Sequence, residues 1–198
     1  VALKKHFSDT PTGRFDADFM SRVYEIPFEV ILTPDLPPEQ ISAQTLGRNL
    51  DGCRIGFDLG GSDRKVAAVV DGKVIFSDET QWDPYHKEDP QYHRNGIMDS
   101  LSKAYKHLPR VDAIGGSSAG VYVDNQPRVA SLFRGVPEPL FDSQVKPLFC
   151  DLAREWAVPL EVINDGDVTA LAGSMTLGEN AVLGLAMGTS EATGYGNA

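Results

Sequence analysis

With 198 residues, 41% of them hydrophobic and 23% charged, the chain suits one well-filled core, or a domain with part of a second. A net charge of −10 excludes nucleic-acid binding driven by phosphate neutralisation, because no basic surplus exists to displace counterions. No apolar run reaches membrane-spanning length and no signal-peptide pattern opens the chain; Cys53 and Cys150 lie too far apart for metal spacing, so the expected setting is cytoplasmic, with no membrane partner.

Residues 1–50 read as an N-terminal extension, rich in proline (Pro11, Pro27, Pro34, Pro37, Pro38) and poor in periodicity. Within it, "YEIPFEVIL" predicts an edge strand, where proline is tolerated, and "PPEQISAQTLGRNL" a short helix with proline at its start. Nothing in it resembles a complete DNA-binding winged helix. From Ile55 the pattern sharpens. Ile55–Leu59 reads as a buried strand, Val66–Val70 as a second, and Lys73–Phe76 as a third across an Asp71-Gly72 turn. Asp89-Pro90 supplies a cap and first helical position, and Ile97, Leu101, Tyr105 and Leu108 recur at near-helical spacing. "VDAIGGSS" reads as a strand running into a glycine turn, followed by the extended "VYVDN" and a strand at "RVASLF". Val145, Leu148, Phe149, Leu152 and Trp156 mark a helix that tolerates Pro147 only if it begins near Asp142 or Ser143. "PLEVIND" is a strand, "DVTALAGSM" a helix and "AVLGLAMGT" a last strand. Three meander strands followed by helix–strand alternation predict an α/β protein with a mixed sheet covered by helices. The chain closes on "GTSEATGYGNA", just after a strand and a glycine turn, as expected of a piece of a longer protein.

Four stretches carry candidate chemistry. In "DLGGS", Gly60 and Gly61 let successive N–H groups turn toward one point, Ser62 adds a hydroxyl, Lys65 a mobile positive charge, and Asp58 a carboxylate able to hold Mg²⁺; the competing reading is a glycine turn with a solvated acid. "GSSAG" fits the G-x-S-x-G nucleophile pattern at Ser118, but all four histidines precede it, and a tight strand-to-strand turn is the better reading. "VINDGD" puts Asn164 and Asp165 at a strand end before a helix, where ligands bind in open α/β sheets; alternatively Asp165, Gly166 or Asp167 simply caps the helix. "MGTSEATGYG" is a second glycine- and hydroxyl-rich turn, or a flexible tail. Neither a P-loop nor a dinucleotide-binding G-x-G-x-x-G occurs.

Taken in order, these stretches resemble the actin-like (ribonuclease H-like) sugar kinases, and more closely the ROK family (repressors, open reading frames and kinases). "DLGGSDRK" matches that family's D-[LI]-G-G-[TS]-x-x-K, "GGSSAGVYVD" is similar to its glycine turn, "NDGDVTALAG" looks like its N-D-A-N-x-x-A-L-x-E element, and "GTSEATGYG" approaches its second phosphate hairpin. Ser190 stands where that hairpin usually has glycine, and Gly166 and Asp167 replace the small and amide residues after Asn164-Asp165. The resemblance spans residues 54–196. It implies a five-stranded mixed sheet with flanking helices over residues 51–178, with 179–198 starting a second lobe. It also implies ATP-dependent phosphorylation of a hexose, or sugar sensing without transfer on the same fold. Asp165 would accept the proton of the attacking hydroxyl, and Asn164, with Ser118 and Gly120, would meet the sugar. Gly60, Gly61, Ser62, Lys65, Gly188 and Thr189 would hold phosphates, with Mg²⁺ near Asp58. Two copies would pair through the second lobe, and this piece alone would be inactive because half the nucleotide cleft lies outside it. A serine hydrolase using Ser118 is the reading from another class.

Overall fold

The computed structural model describes residues 2–38, 47, 49–188 and 191–196, and the chain divides into two compact units, Val1–Leu46 and Gly47–Ala198. In the first unit two helices, α1 (Ala2–Asp9) and α2 (Pro11–Tyr24), meet at Thr10, whose Oγ1 accepts the Gly13 N–H at 3.0 Å while Pro11 takes the first helical position. The proline-rich appearance of this region concealed both helices, since Pro11 starts a helix rather than breaking one. The edge strand expected at residues 24–32 does not form. Tyr24 ends α2, Glu25 turns left-handed (φ 57°), and the Phe28 N–H goes to the Ser21 hydroxyl instead of a neighbouring strand. The helix expected over residues 37–50 falls mostly outside the described residues.

The second unit is built on a five-stranded sheet in the order β3-β2-β1-β4-β7. β1 (Cys53–Leu59), β2 (Asp63–Val70) and β3 (Lys73–Gln81) form an antiparallel meander, while β4 (Ala113–Ser118) and β7 (Leu160–Ile163) run parallel to β1. The Asp71-Gly72 turn has both residues at positive φ (48° and 75°), as a two-residue hairpin demands. β2 begins three residues earlier and β3 ends five residues later than apolar content alone predicts, because ladder pairing carries polar residues such as Asp63, Lys65 and Glu79 into the strands.

Alternation assigns the two faces of the sheet. Cys53, Ile55, Phe57 and Leu59 point into the core, with Val66, Ala68, Ile114, Leu160 and Val162 from the neighbouring strands. Helix α3 (Pro90–Tyr105), capped by Asp89 as expected, covers that face with Ile97, Leu101 and Ala104. Tyr105 is half exposed and Leu108 lies past the helix end. Buried Arg64 ties β2 to α3 through Ser100 and Asp99, both at 2.8 Å.

After β4 the chain makes a small hairpin, β5 (Val121–Val123) and β6 (Gln126–Val129). The strand expected over "RVASLF" is therefore cut at Val129, and Ser131–Phe133 form a 3₁₀ turn that buries Leu132 and Phe133. Helix α4 (Glu138–Leu140), a single turn, runs into a π-helical turn at Phe141–Val145; then α5 (Leu148–Trp156) buries Leu148, Phe149 and Leu152. The helix expected to run through Pro147 is instead broken there, since proline has no N–H to continue the ladder. Helix α6 (Asp165–Leu177) follows β7 and packs on the hairpin of β8 (Val182–Met187) and β9 (Glu191–Gly196).

One buried group makes the fold sensitive to acid. His93 is fully buried on α3, its Nε2–H donating to the carbonyls of Pro84 (3.0 Å) and Leu132 (3.3 Å), while Nδ1 has no hydrogen-bond partner among the described residues. Burial holds its pKa below the ordinary value, outweighing the opposing pull of these carbonyls and of Asp89. The unfolded chain therefore binds the extra proton first. Stability is fully present above about pH 6.5 and is lost as pH falls below it toward the lowered folded value. Urea unfolding at pH 7.5 and 5.5 checks this: the midpoint should drop in acid, and a His93→Gln variant should lose that part of the drop.

Candidate active site

Strand register brings three of the four sequence stretches to one edge. Asp58 on β1 pairs with Ser117 on β4, and Ser117 pairs with Ile163 on β7. The carboxyl ends of these three parallel strands are thus level, two strand spacings or about 10 Å apart from first to last. Gly60 to Ser62 leave one end, Ala119 and Gly120 the middle, and Asn164 and Asp165 the other. The carboxyl ends of the strands are where open α/β sheets bind ligands.

The "DLGGS" bend is a closed turn. The Gly60 N–H donates to the Asp63 carbonyl at 2.9 Å, the Gly60 carbonyl accepts from Trp82 Nε1 at 2.8 Å, and the Ser62 carbonyl accepts from the Trp82 N–H at 3.0 Å. A Cβ on Gly61 would lie 2.2 Å from the Tyr85 hydroxyl, so a side chain there would require that ring to move. Asp63 occupies the bend with its side chain: the Ser62 hydroxyl donates to it at 2.9 Å and the Lys65 ammonium donates to its other oxygen. The Lys65 contact holds the Asp63 carboxyl below the usual carboxylate range and raises Lys65 in turn. Asp58 faces away from the core, across from Lys65 in the ladder. Among the described residues no three His, Cys, Asp or Glu side chains gather as a metal cluster. A single carboxylate still suits Mg²⁺, which keeps several waters and takes phosphate oxygens as its other ligands.

The centre of the edge is more tightly bonded. Ser118 is fully buried and its hydroxyl accepts from Tyr122 Oη at 2.8 Å. Burial pushes the Tyr122 phenol far above its ordinary range, the bond to Ser118 opposes this, and the neighbouring Asp165 carboxylate reinforces it. Tyr122 therefore stays a donor at every physiological pH. The residues after Ser118 enter strand β5, not a helix, and its partner is a tyrosine, not a histidine; neither feature suits a nucleophile elbow. Gly120 sits at φ 137°, where a Cβ would come within 2.8 Å of the Ala130 backbone.

Asn164, not Asp165, Gly166 or Asp167, caps α6. Its Oδ1 accepts the Gly166 N–H at 2.8 Å, and its Nδ2 donates to the Gly120 carbonyl at 2.8 Å. The amide thus locks the middle turn to the helix start. Asp165 is left in the first turn of α6, with Oδ1 buried and unpartnered among the described residues. An unpaired buried carboxylate oxygen is costly, and such groups concentrate where chemistry needs them.

The hairpin β8–β9 aims its tip at the same place. A Cβ on Gly184 would meet Ala170 N at 2.2 Å, one on Gly194 would meet Asp167 N at 2.3 Å, and one on Gly166 would meet Thr193 N at 2.6 Å. The contacts step along α6 so that the tip carrying Gly188 lies toward the Asp165 end. They also explain Gly166: any side chain there would collide with β9. Thr189 lies outside the described residues.

Solved structures give the fold its relatives. The chain superposes on an inorganic polyphosphate/ATP-glucomannokinase from Arthrobacter sp. strain KM with a TM-score of 0.56 at 20% identity, covering 73% of this chain and 58% of that one. A ROK hexokinase from Thermus thermophilus gives 0.56 at 18% identity, covering 73% and 46%. The chain has the fold of the ROK sugar kinases. A ROK family transcriptional regulator, a homologue of the E. coli MLC protein, matches as well, with a TM-score of 0.57 at 16% identity over 75% of this chain and 37% of that one. The chain spans about half the length of the two kinases. By sequence it matches no family model and no curated protein.

Several residues that shape this edge are not among those the sequence patterns point to. Trp82 bonds a loop 22 positions away, which no local pattern announces. Asn125 pairs with the free edge of β7, its Oδ1 accepting the Val162 N–H at 2.7 Å and its Nδ2 donating to the Leu160 carbonyl. Asp63 had a signal: in a strand, residues two apart share a face, which places it beside Lys65.

Proposed function

We propose that this chain carries the phosphate-binding and sugar-activating half of an ATP-dependent hexose kinase. The observation that carries the reading is the Asp165 carboxylate oxygen, buried and unpartnered among the described residues, just past the end of a strand that lies about 10 Å across the sheet edge from the strand leading into the "DLGGS" bend. That gap suits a sugar hydroxyl on one side and a terminal phosphate on the other. Asp165 takes the hydroxyl proton as the sugar oxygen bonds to the γ-phosphorus. The bond from that phosphorus to the β–γ bridging oxygen breaks, and ADP leaves with the electron pair. Gly61 and Ser62 offer N–H groups to the phosphates, and Lys65 offers charge; Asp58 would hold Mg²⁺, which supplies charge neutralisation on the phosphate oxygens. Ser118 and Gly120 act from beneath: Tyr122 fixes the serine, and the Gly120 carbonyl fixes Asn164, so the Asn164-Asp165 pair presents a rigid wall to the sugar.

Leu183, Leu185, Met187 and Tyr195 are exposed on the hairpin face turned away from α6, where a continuing second lobe would cover them. The hairpin thus reads as the start of that lobe and Gly188 as part of its phosphate turn. No described helix is long and apolar enough to cross a membrane. Cys53 and Cys150 are both free, which fits the cytoplasmic setting that an ATP-dependent kinase needs. Incubating the intact protein with Mg-ATP and a panel of hexoses, and reading sugar phosphate by mass spectrometry, tests the assignment. Transfer to at least one hexose is expected; neither transfer nor sugar binding across the panel would sink it. Binding without transfer would favour a sugar sensor, a reading supported by one observation, that Ser62 and Lys65 already hold an acid of the chain itself.

A further inference from the structure

We propose that the Asp63 carboxylate is a built-in competitor for phosphate, holding anion affinity of the Gly60–Ser62 bend down until it swings away. The inference rests on the reading of this bend as a phosphate site. Four groups could serve an anion there: the Gly61 and Ser62 N–H groups, the Ser62 hydroxyl and the Lys65 ammonium. The two N–H groups have no acceptor among the described residues. The other two both donate to Asp63, one to each carboxylate oxygen, in the arrangement a phosphate would use.

Backbone and side chain of Asp63 have separate duties. The turn is closed by its carbonyl, which accepts the Gly60 N–H at 2.9 Å. The carboxylate contributes only the contacts to Ser62 and Lys65. The Lys65 side chain is 48% exposed and that of Asp63 is 21% exposed, and a pair whose cation is half in water is screened and adds little to stability. The carboxylate is thus displaceable, and the bend keeps its shape without it.

An arriving phosphate must displace one anion and then lie beside it, while Lys65 can neutralise only one of the two. Removing a like charge that has swung to about 6–10 Å away, at the effective dielectric of a protein surface, corresponds to about ten- to hundredfold in affinity. Asp63 is therefore a specificity-determining residue: it favours ligands bringing enough charge, or a bound cation, to evict it.

The test is calorimetric titration of the full chain with inorganic tripolyphosphate, without divalent metal, comparing wild type with Asp63→Asn and Asp63→Ser. Melting without ligand serves as the folding control for each. Both variants should bind at least tenfold tighter than wild type, and adding Lys65→Met to either should abolish the gain. Unchanged affinity, weaker affinity, or no binding in any protein overturns the proposal and leaves Asp63 as a brace. The functional reading fails separately. Tighter binding by the variants without sugar phosphorylation by any of them would retain the competitor and dismiss the kinase; phosphorylation by wild type with no gain in the variants would do the reverse.

Discussion

Replacing Asp165 with Asn in the intact protein should lower kcat by about 10³-fold while leaving hexose affinity within a few-fold of wild type. The expectation follows from where the carboxylate sits. Asn164 supplies the helix cap and Gly120 is bonded to Asn164, so neither structural duty falls on Asp165. Its Oδ1 is buried without a hydrogen-bond partner among the described residues, so the substitution breaks no bond that this oxygen makes in the fold. An amide of the same shape can still accept a hydrogen bond from the sugar, but it cannot take the proton as the new oxygen–phosphorus bond forms. The loss therefore appears in kcat rather than in binding, and amounts to about 4 kcal/mol of transition-state stabilisation. Coupled detection of ADP release, alongside calorimetric titration of the sugar, separates the two quantities. Undiminished turnover would remove Asp165 from the reaction.

The second large effect is structural. Gly184→Ala should release the β8–β9 hairpin from α6, at a cost of about 3 kcal/mol, while the five-stranded sheet stays intact. The added methyl would lie 2.2 Å from Ala170 N and 2.6 Å from Ala170 Cα, and neither atom can rotate aside because both belong to the helix backbone. Hydrogen exchange checks the outcome. Amides of Val182–Met187 and Glu191–Gly196 should lose protection, and those of Ile55–Leu59 should keep theirs. Equal protection in variant and wild type would show that hairpin and helix can separate slightly without penalty. The prediction bears on the site as well, because the hairpin tip carries Gly188.

How much of this was legible beforehand varies by element. The strands and helices from Ile55 onward follow from alternation, the Asp71-Gly72 turn and the Asp89-Pro90 cap, all of which act within a few residues. The helix broken at Pro147 and the missing strand at residues 24–32 turned on something less local. In the first case a π-helical turn delivers the chain to α5, and in the second a serine hydroxyl takes the N–H that a strand would have needed. The two N-terminal helices were hidden by prolines, one of which starts a helix.

The site divides the same way. Its glycines, Ser62, Asn164 and Asp165 stand out by residue type at strand ends. Their division of labour does not: that Asn164 caps and braces while Asp165 stays unbonded, or that Asp63 fills the bend, depends on distances between segments far apart in the chain.

By itself, then, the amino-acid order determined where strands, turns and caps begin, because those choices are made by torsional preference and apolar period over a handful of neighbouring residues. Only the tertiary structure decided that Asp58, Ser117 and Ile163 stand level, and hence that the bend and Asp165 follow strands ending at one edge of the sheet. Register between distant strands is set by how their side chains interlock in the shared core, a property of the packed whole that no short stretch contains.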